Sequence, residues 1–378
     1  MSLTSGIDNQ LRDRLGISDP YDFTVWAKKG WLPIGYFCES VPVVMLSLGK
    51  LFPVRAHGLT VRATDRADAH LSQVACPYTR SVLETALQGD FDSFGGYIFA
   101  TGCDHIRRLK DVMDYLFHPV LSHIIDVPHK RSEQALIWLE TQIKQFGQIL
   151  TSTLGVDTRE QALSQAISHY NRLCELIDSG NALRKKQPPL LNGLDFQHLI
   201  RFVKSSPYEI SLSILPEILQ EAALQDQKMD HKSRLMVVGS VLDDAEYLKL
   251  IEAAGSVVVV DRYCSGSQPV FTKIDETMAP YPALARHVFE RTACPRMMSD
   301  FNKRVAEILR LSQEFAVDGV MVSPLKSCDL WGVEAALLAD ILKSHNLPVL
   351  QVEREYRLLG ESQFQTRVQA FLEIISFK

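Results

Sequence analysis

The residues best suited to chemistry in this chain are its seven cysteines: Cys38, Cys76, Cys103, Cys174, Cys264, Cys294 and Cys328. No two form a CxxC pair, so zinc-finger and thioredoxin-type readings fail on spacing. Their placement says more. Cys103 ends the glycine-flanked apolar run "GGYIFATGC", and a helical pattern, "DHIRRLKDVMDYL", opens directly behind it. Cys38 ends "LPIGYFC", Cys264 follows "SVVVVDRY" and Cys328 follows "GVMVSPLKS". Cys76 precedes "PYTRSVLETAL", where Pro77 suits a first helical turn. A thiolate at such a point feels free N–H groups and the positive end of a helix. Ligand sites of open parallel sheets lie beyond the carboxyl ends of the strands, and soft thiolates select iron–sulfur clusters, zinc or copper(I). Two readings stay open on pattern alone: thiols converging on a metal, or small apolar residues packing at strand ends. Cys174, on the apolar face of "TREQALSQAISHYNRLCELIDSG", reads as core.

The remaining motifs are weaker. No GxGxxG follows a strand, and neither a GxxxxGK[ST] loop nor a GxSxG elbow is present. His105, His118, His123 and His129 lack HExxH spacing and read as surface or helix-end residues. Arg107 and Arg108 read as a solvated face, with pairing to an acidic ligand or a helix terminus as the alternative.

The elements that must position these thiols alternate. Residues 1–30 read as a polar N-terminal helical segment. Residues 31–130 form a first α/β domain, with strands at "LPIGYFC", "FPVRAHG", "GGYIFATGC" and "SHIIDVP" and helices near 42–50, 77–88 and 104–117. Residues 131–231 read as a helical insert; Ser132 is placed to cap its first helix, and Gly180 to end its second. Residues 232–378 return to alternation, broken by a proline-punctuated stretch, 266–295, read as irregular. Strand–helix alternation implies parallel sheets covered by helices. The expected class is therefore α/β, two Rossmann-like parallel-sheet domains with a helical segment between them. A net charge of −5 argues against a nucleic-acid partner. No apolar run approaches the roughly 18 residues of a membrane span. The opening "MSLTSGIDNQLRDRLG" lacks the basic start and apolar stretch of a secretory signal, so a cytoplasmic chain with reduced thiols is expected.

In order along the chain, "GYFCESVP…FPVRAHG", "CPYTRSVLETALQGDFDSFGGYIFATGCDHIRRLKDVMDYL", "RLMVVGSVLDDAEYLKLIEAAGSVVVVDRYCSG", "LARHVFERTACP", "FAVDGVMVSPLKSCDLWGVEAALLADILKSHNLPVLQVEREY" and "SQFQTRVQAFLEII" resemble the 2-hydroxyacyl-CoA dehydratase / benzoyl-CoA reductase family, in particular its smaller, beta-type subunit. The resemblance implies an oxygen-sensitive [4Fe–4S] cluster between the α/β domains. Its cysteine ligands fall on Cys76, Cys103 and Cys328. Three protein ligands would leave one iron open to water, sulfide or substrate oxygen. Asp104 and Arg107 become candidates for tuning the cluster or holding the Cys103 loop, with helix capping by Asp104 as the alternative. Cys264 is a possible extra thiol, while Cys38 and Cys294 keep structural roles.

The implied partners are a homologous larger subunit, or a second copy of the chain, an ATP-dependent iron–sulfur activator protein, and an acyl-CoA substrate. The implied activity is radical dehydration or reduction of an acyl-CoA thioester with low-potential electrons. The alternatives are a homodimeric reductase of small molecules carrying a double-cubane [8Fe–9S] cluster, or a non-catalytic electron-relay or scaffold subunit. One departure stands out: after "ESVP", where relatives continue with acidic residues and an alanine-rich helix, this chain reads "VVMLSLGKLFPV". That implies a changed or absent polar substrate contact there.

Overall fold

The computed structural model describes residues 6–224, 231–268, 270–291 and 294–376. Helices α1 (Gly6–Leu15) and α2 (Thr24–Lys28) lead into β1 (Leu32–Tyr36) and β2 (Leu51–Arg55). Between these strands the expected helix over 42–50 is only a 3₁₀ turn, Val43–Ser47. Pro42 and the β-branched pair Val43–Val44 disfavour a longer helix, and Gly49, at φ +63°, turns the chain into β2. Then come α3 (Pro77–Leu87), β3 (Tyr97–Ala100), α4 (Asp104–Phe117) and β4 (Ser122–Ile125). All four residues of β3 are buried, as a central parallel strand covered on both faces requires.

Four helices follow: α5 (Glu133–Leu154), α6 (Glu160–Lys185), α7 (Gly193–Val203) and α8 (Tyr208–Leu224). Ser132 caps α5 as expected, its hydroxyl accepting from the Ala135 N–H at 3.2 Å. Gly180 does not end α6. A Cβ there would lie 2.8 Å from the Phe196 ring, so this glycine lets α7 pack closely on a helix that continues to Lys185.

The second alternation comprises β5 (Ser233–Gly239), α9 (Glu246–Ala253), β6 (Ser256–Tyr263), α10 (Pro280–Glu290), α11 (Phe301–Glu314), β7 (Gly319–Ser323), α12 (Asp329–Ser344), β8 (Val349–Gln351) and α13 (Glu361–Ser376). Helix α10 lies inside the stretch expected to be irregular. Pro280 occupies its first turn, where the missing N–H has no intrahelical partner to lose, and Ala283, Leu284 and Val288 line its buried stripe.

Both sheets are parallel and four-stranded, ordered β2-β1-β3-β4 and β6-β5-β7-β8. The architecture is thus two Rossmann-like parallel-sheet units with helices packed around them. Each order reverses once, between β1 and β3 and between β5 and β7, and a crevice beyond the carboxyl ends is the expected ligand position at such a reversal. Among the described residues no helix is long and apolar enough to cross a membrane.

Candidate metal centre

The carboxyl ends of the two sheets open onto one shared cavity. Its walls include Cys38, Cys76 and Cys103 from the first sheet's loops and Cys264, Cys294 and Cys328 from the second's. Its volume of about 120 Å³ is room for several waters or a compact inorganic group, since one water needs about 10–15 Å³. Phe37, Ile106, Leu325, Leu330 and Trp331 make the remaining wall largely apolar. Cys174 lies elsewhere, fully buried in the helical core.

Local folding explains how the thiols are aimed. Cys76, Cys103 and Cys328 are the N-cap residues of α3, α4 and α12. An N-cap side chain lies over the free N–H groups of the first turn. None of the three closes a side-chain capping bond, yet those N–H groups still favour the thiolate: Tyr78 and Thr79 act on Cys76, Ile106 on Cys103, and Trp331 and Leu330 on Cys328. Burial acts the other way and is the larger effect. It pushes the Cys76 thiol up to about 12 and Cys294 up to about 11, and raises Cys103, Cys264 and Cys328. The sulfurs also feel one another: Cys328 raises Cys76, and Cys294 and Cys328 raise Cys264. Enclosed thiols of this kind stay protonated until a cationic group compensates them.

Neighbouring groups hold the ligand loops. The backbone of Gly102 runs against Cys38, and a Cβ at Gly102 would stand 2.9 Å from the Cys38 sulfur. The Trp331 indole N–H is buried beside Cys264, whose thiolate it favours by hydrogen bonding. His105 spans three loops: its Nδ1 accepts from the Cys76 N–H at 3.4 Å, and its Nε2 lies 3.2 Å from Asp329 Oδ2. Arg304 chelates Glu334 of α12 and donates to the carbonyls of Cys294 (3.1 Å) and Met297 (2.9 Å), which anchors the Cys294 loop.

Among the described residues no three His, Cys, Asp or Glu side chains stand close enough for a single metal ion. The thiols line the walls of one cavity, an arrangement that a polynuclear group can bridge. Six cysteine sulfurs on one wall and an indole N–H directed at one of them fit an iron–sulfur cluster.

The structure brings Cys76, Cys103, Cys328 and Cys264 to this cavity together with Cys38 and Cys294, for which the sequence alone implies packing roles. Asp104 is exposed in the first turn of α4, and neither it nor Arg107 is among the cavity-lining residues. Arg108 pairs with Asp111 at 3.0 Å on the surface. His105, expected at the surface, lines the cavity instead; its place beside Cys103 on the first turn of α4 was the available signal. Glu39, Arg55, Arg291 and Arg296 also line the cavity and carried no sequence signal.

The family model for 2-hydroxyglutaryl-CoA dehydratase, D-component, matches residues 38–375. The protein YjiM of Escherichia coli (strain K12), a dehydratase subunit by its description, is 23% identical over 359 residues, covering 90% of this chain and 91% of that one. The (R)-phenyllactyl-CoA dehydratase beta subunit of Clostridium sporogenes is 20% identical over 376 residues, covering 99% and 100%. A benzoyl-CoA reductase subunit from Thauera aromatica is 22% identical over 291 residues, covering 75% of each.

Proposed function

The chain belongs to the 2-hydroxyglutaryl-CoA dehydratase D-component family, and from that premise we propose that it is the iron–sulfur subunit of a 2-hydroxyacyl-CoA dehydratase or benzoyl-CoA reductase type enzyme, its cluster held by Cys76, Cys103 and Cys328. One observation carries the reading: three cysteines at helix N-cap positions, contributed by both sheets, line one cavity. A [4Fe–4S] cluster bound there would supply low-potential electron transfer and, at an iron without a protein thiolate, Lewis acidity. The chain's own part is to orient the thiols and to offset part of the burial that keeps them protonated. The first-turn N–H groups of α3, α4 and α12 favour the thiolates, and Phe37, Ile106, Leu325 and Leu330 give them a largely apolar wall. The partners of this reading are a homologous larger subunit, a separate ATP-dependent iron–sulfur activator and an acyl-CoA substrate, in the cytoplasm.

A second reading is favoured by the other three thiols. Cys38, Cys264 and Cys294 complete a ring of six on the same cavity, a donor set large enough for a double-cubane [8Fe–9S] cluster in a homodimeric reductase of small molecules.

Anaerobic purification with iron and acid-labile sulfide counts tests both. Cys76→Ser, Cys103→Ser and Cys328→Ser are each expected to lose most of the iron, and Cys174→Ser to keep it. Full iron in all three cavity variants would overturn the assignment. Wild type with twice the iron of one cubane, and loss on Cys38→Ser, Cys264→Ser or Cys294→Ser, selects the second reading over the first.

A further inference from the structure

Behind the thiols lies a group of buried charges. Arg55, the last residue of β2, reaches the cavity wall and lies 3.2 Å from the Glu39 carboxylate. Lys204, just past the end of α7, donates to the same Glu39 oxygen at 2.9 Å and to the Ser265 carbonyl at 2.9 Å. The Arg55 N–H donates to the Lys204 carbonyl at 2.8 Å, which fixes the two cations side by side. Arg55 also donates to the Tyr78 hydroxyl at 3.1 Å, one residue beyond Pro77, where α3 begins behind Cys76.

Two buried cations therefore share one carboxylate. The other carboxylate within electrostatic reach, Asp243, accepts from the Tyr356 hydroxyl at 2.8 Å and also faces the buried Arg354, so three buried cations share two carboxylates. Two more arginines on the cavity wall add to the imbalance. Arg296 donates to the carbonyls of Val127 and Pro128, and Arg291 has no carboxylate partner among the described residues. A buried surplus charge is costly unless something of opposite sign comes to it.

We infer that Arg55 and Lys204, held by Glu39, are positioning residues that match the cavity to an anionic occupant and hold that occupant in its more reduced, more negative state. The inference rests on the cluster reading above. Its physical content is a sign. Removing a nearby positive charge disfavours the added electron and lowers the reduction potential, whereas removing the negative charge raises it.

The test is a redox titration, followed spectroscopically, of anaerobically loaded protein, with iron and sulfide counts on each sample. Arg55→Met and Lys204→Met are expected to shift the reduction equilibrium about tenfold against the reduced state, about 59 mV for a one-electron couple. Arg55→Lys is expected to stay near wild type, and Glu39→Gln to move the opposite way. A merely structural role would not give opposite signs at unchanged iron content. If Arg55→Met fails to load, Lys204→Met, behind the wall, decides. Loaded variants whose potentials do not move, or all move one way, overturn this inference alone. A wild type that takes up no iron overturns the reading beneath it, and this inference with it.

Discussion

The two sheets run in the same strand order, but the loops at their carboxyl ends are equipped differently. In the first, the strands flanking the order reversal, β1 and β3, are followed by Cys38 and Cys103, with Gly102 pressed against the Cys38 sulfur. In the second, the strand equivalent to β1 is followed by Ser240, whose hydroxyl accepts from the Leu325 N–H at 2.5 Å and pins the loop that leads to Cys328. The second interior strand of each sheet, β3 or β7, leads to a cysteine at the N-cap of the next helix. Buried charge is also divided. In the second half the ion pair Arg304–Glu334 sits behind the cavity and braces α11 against α12. In the first half Arg55 and Glu39 stand on the cavity wall itself. The second half's buried ion pair is scaffolding and the first half's stands at the site; the second half's arginines on the wall, Arg291 and Arg296, have no carboxylate partner among the described residues.

That contrast predicts the largest difference. Arg304→Met leaves Glu334 buried and unpaired and frees the carbonyls of Cys294 and Met297. It is expected to cost about 3–5 kcal/mol in urea unfolding, the usual result of halving a buried pair. Arg55→Met leaves Glu39 still paired with Lys204 and is expected to cost less than half as much. Equal losses would show that the Arg55 group is scaffolding too.

How far this division was legible in the sequence depends on the range of each signal. Helix α4 matches its expected span, 104–117, and Ser132 caps α5, because capping, periodicity and glycine placement act over a few residues. The cysteines at strand ends were legible as positions. Their convergence was not: nothing local at Cys294 announces that Arg304 ties its loop to the cavity, and Glu39 meets Lys204 across 165 residues of chain. Helix α10 was hidden because Pro280 and Pro282 read as breakers until one lies in the first turn. Gly180 misled in the same way, since a glycine chosen for close packing and one chosen to end a helix look alike in sequence.

Glycines at the two strand ends sharpen the comparison at the next scale. A Cβ on Gly239, at the end of β5, would stand 2.2 Å from the Ser323 carbonyl oxygen, a backbone atom of the paired strand. A Cβ on Gly102 would crowd the Cys38 thiol alone, the end of a side chain that can rotate, and would reach the Ala100 carbonyl oxygen at an ordinary 3.9 Å. Gly239→Ala is therefore expected to destabilise by about 3 kcal/mol, and Gly102→Ala by about 1 kcal/mol. Thermal unfolding of the apo-protein gives both numbers. Gly102→Ala should also turn Cys38 away from the cavity, read as faster alkylation of that thiol.

The effect that appears only with pH concerns two carboxylates that bind main-chain N–H groups. Glu84, in the first half, accepts from Arg66 and Ala67, both at 2.9 Å. Glu252, in the second, accepts from Gly193 (2.7 Å), Leu194 (3.2 Å) and Val258 (3.1 Å), and so ties the start of α7 to β6. Burial raises the Glu252 carboxyl from 4.5 to about 7, although its three N–H donors pull the other way. A group with a raised folded-state pKa gives stability that is fully present below its unfolded value of 4.5 and lost as pH rises through 7. Glu252→Gln keeps a neutral acceptor at every pH. Its unfolding free energy relative to wild type should therefore rise between pH 5 and pH 8, by about 2–3 kcal/mol if the whole shift is expressed. A difference that stays flat, or grows toward acid, would mean that the N–H donors outweigh burial and that Glu252 caps α7 as a carboxylate throughout.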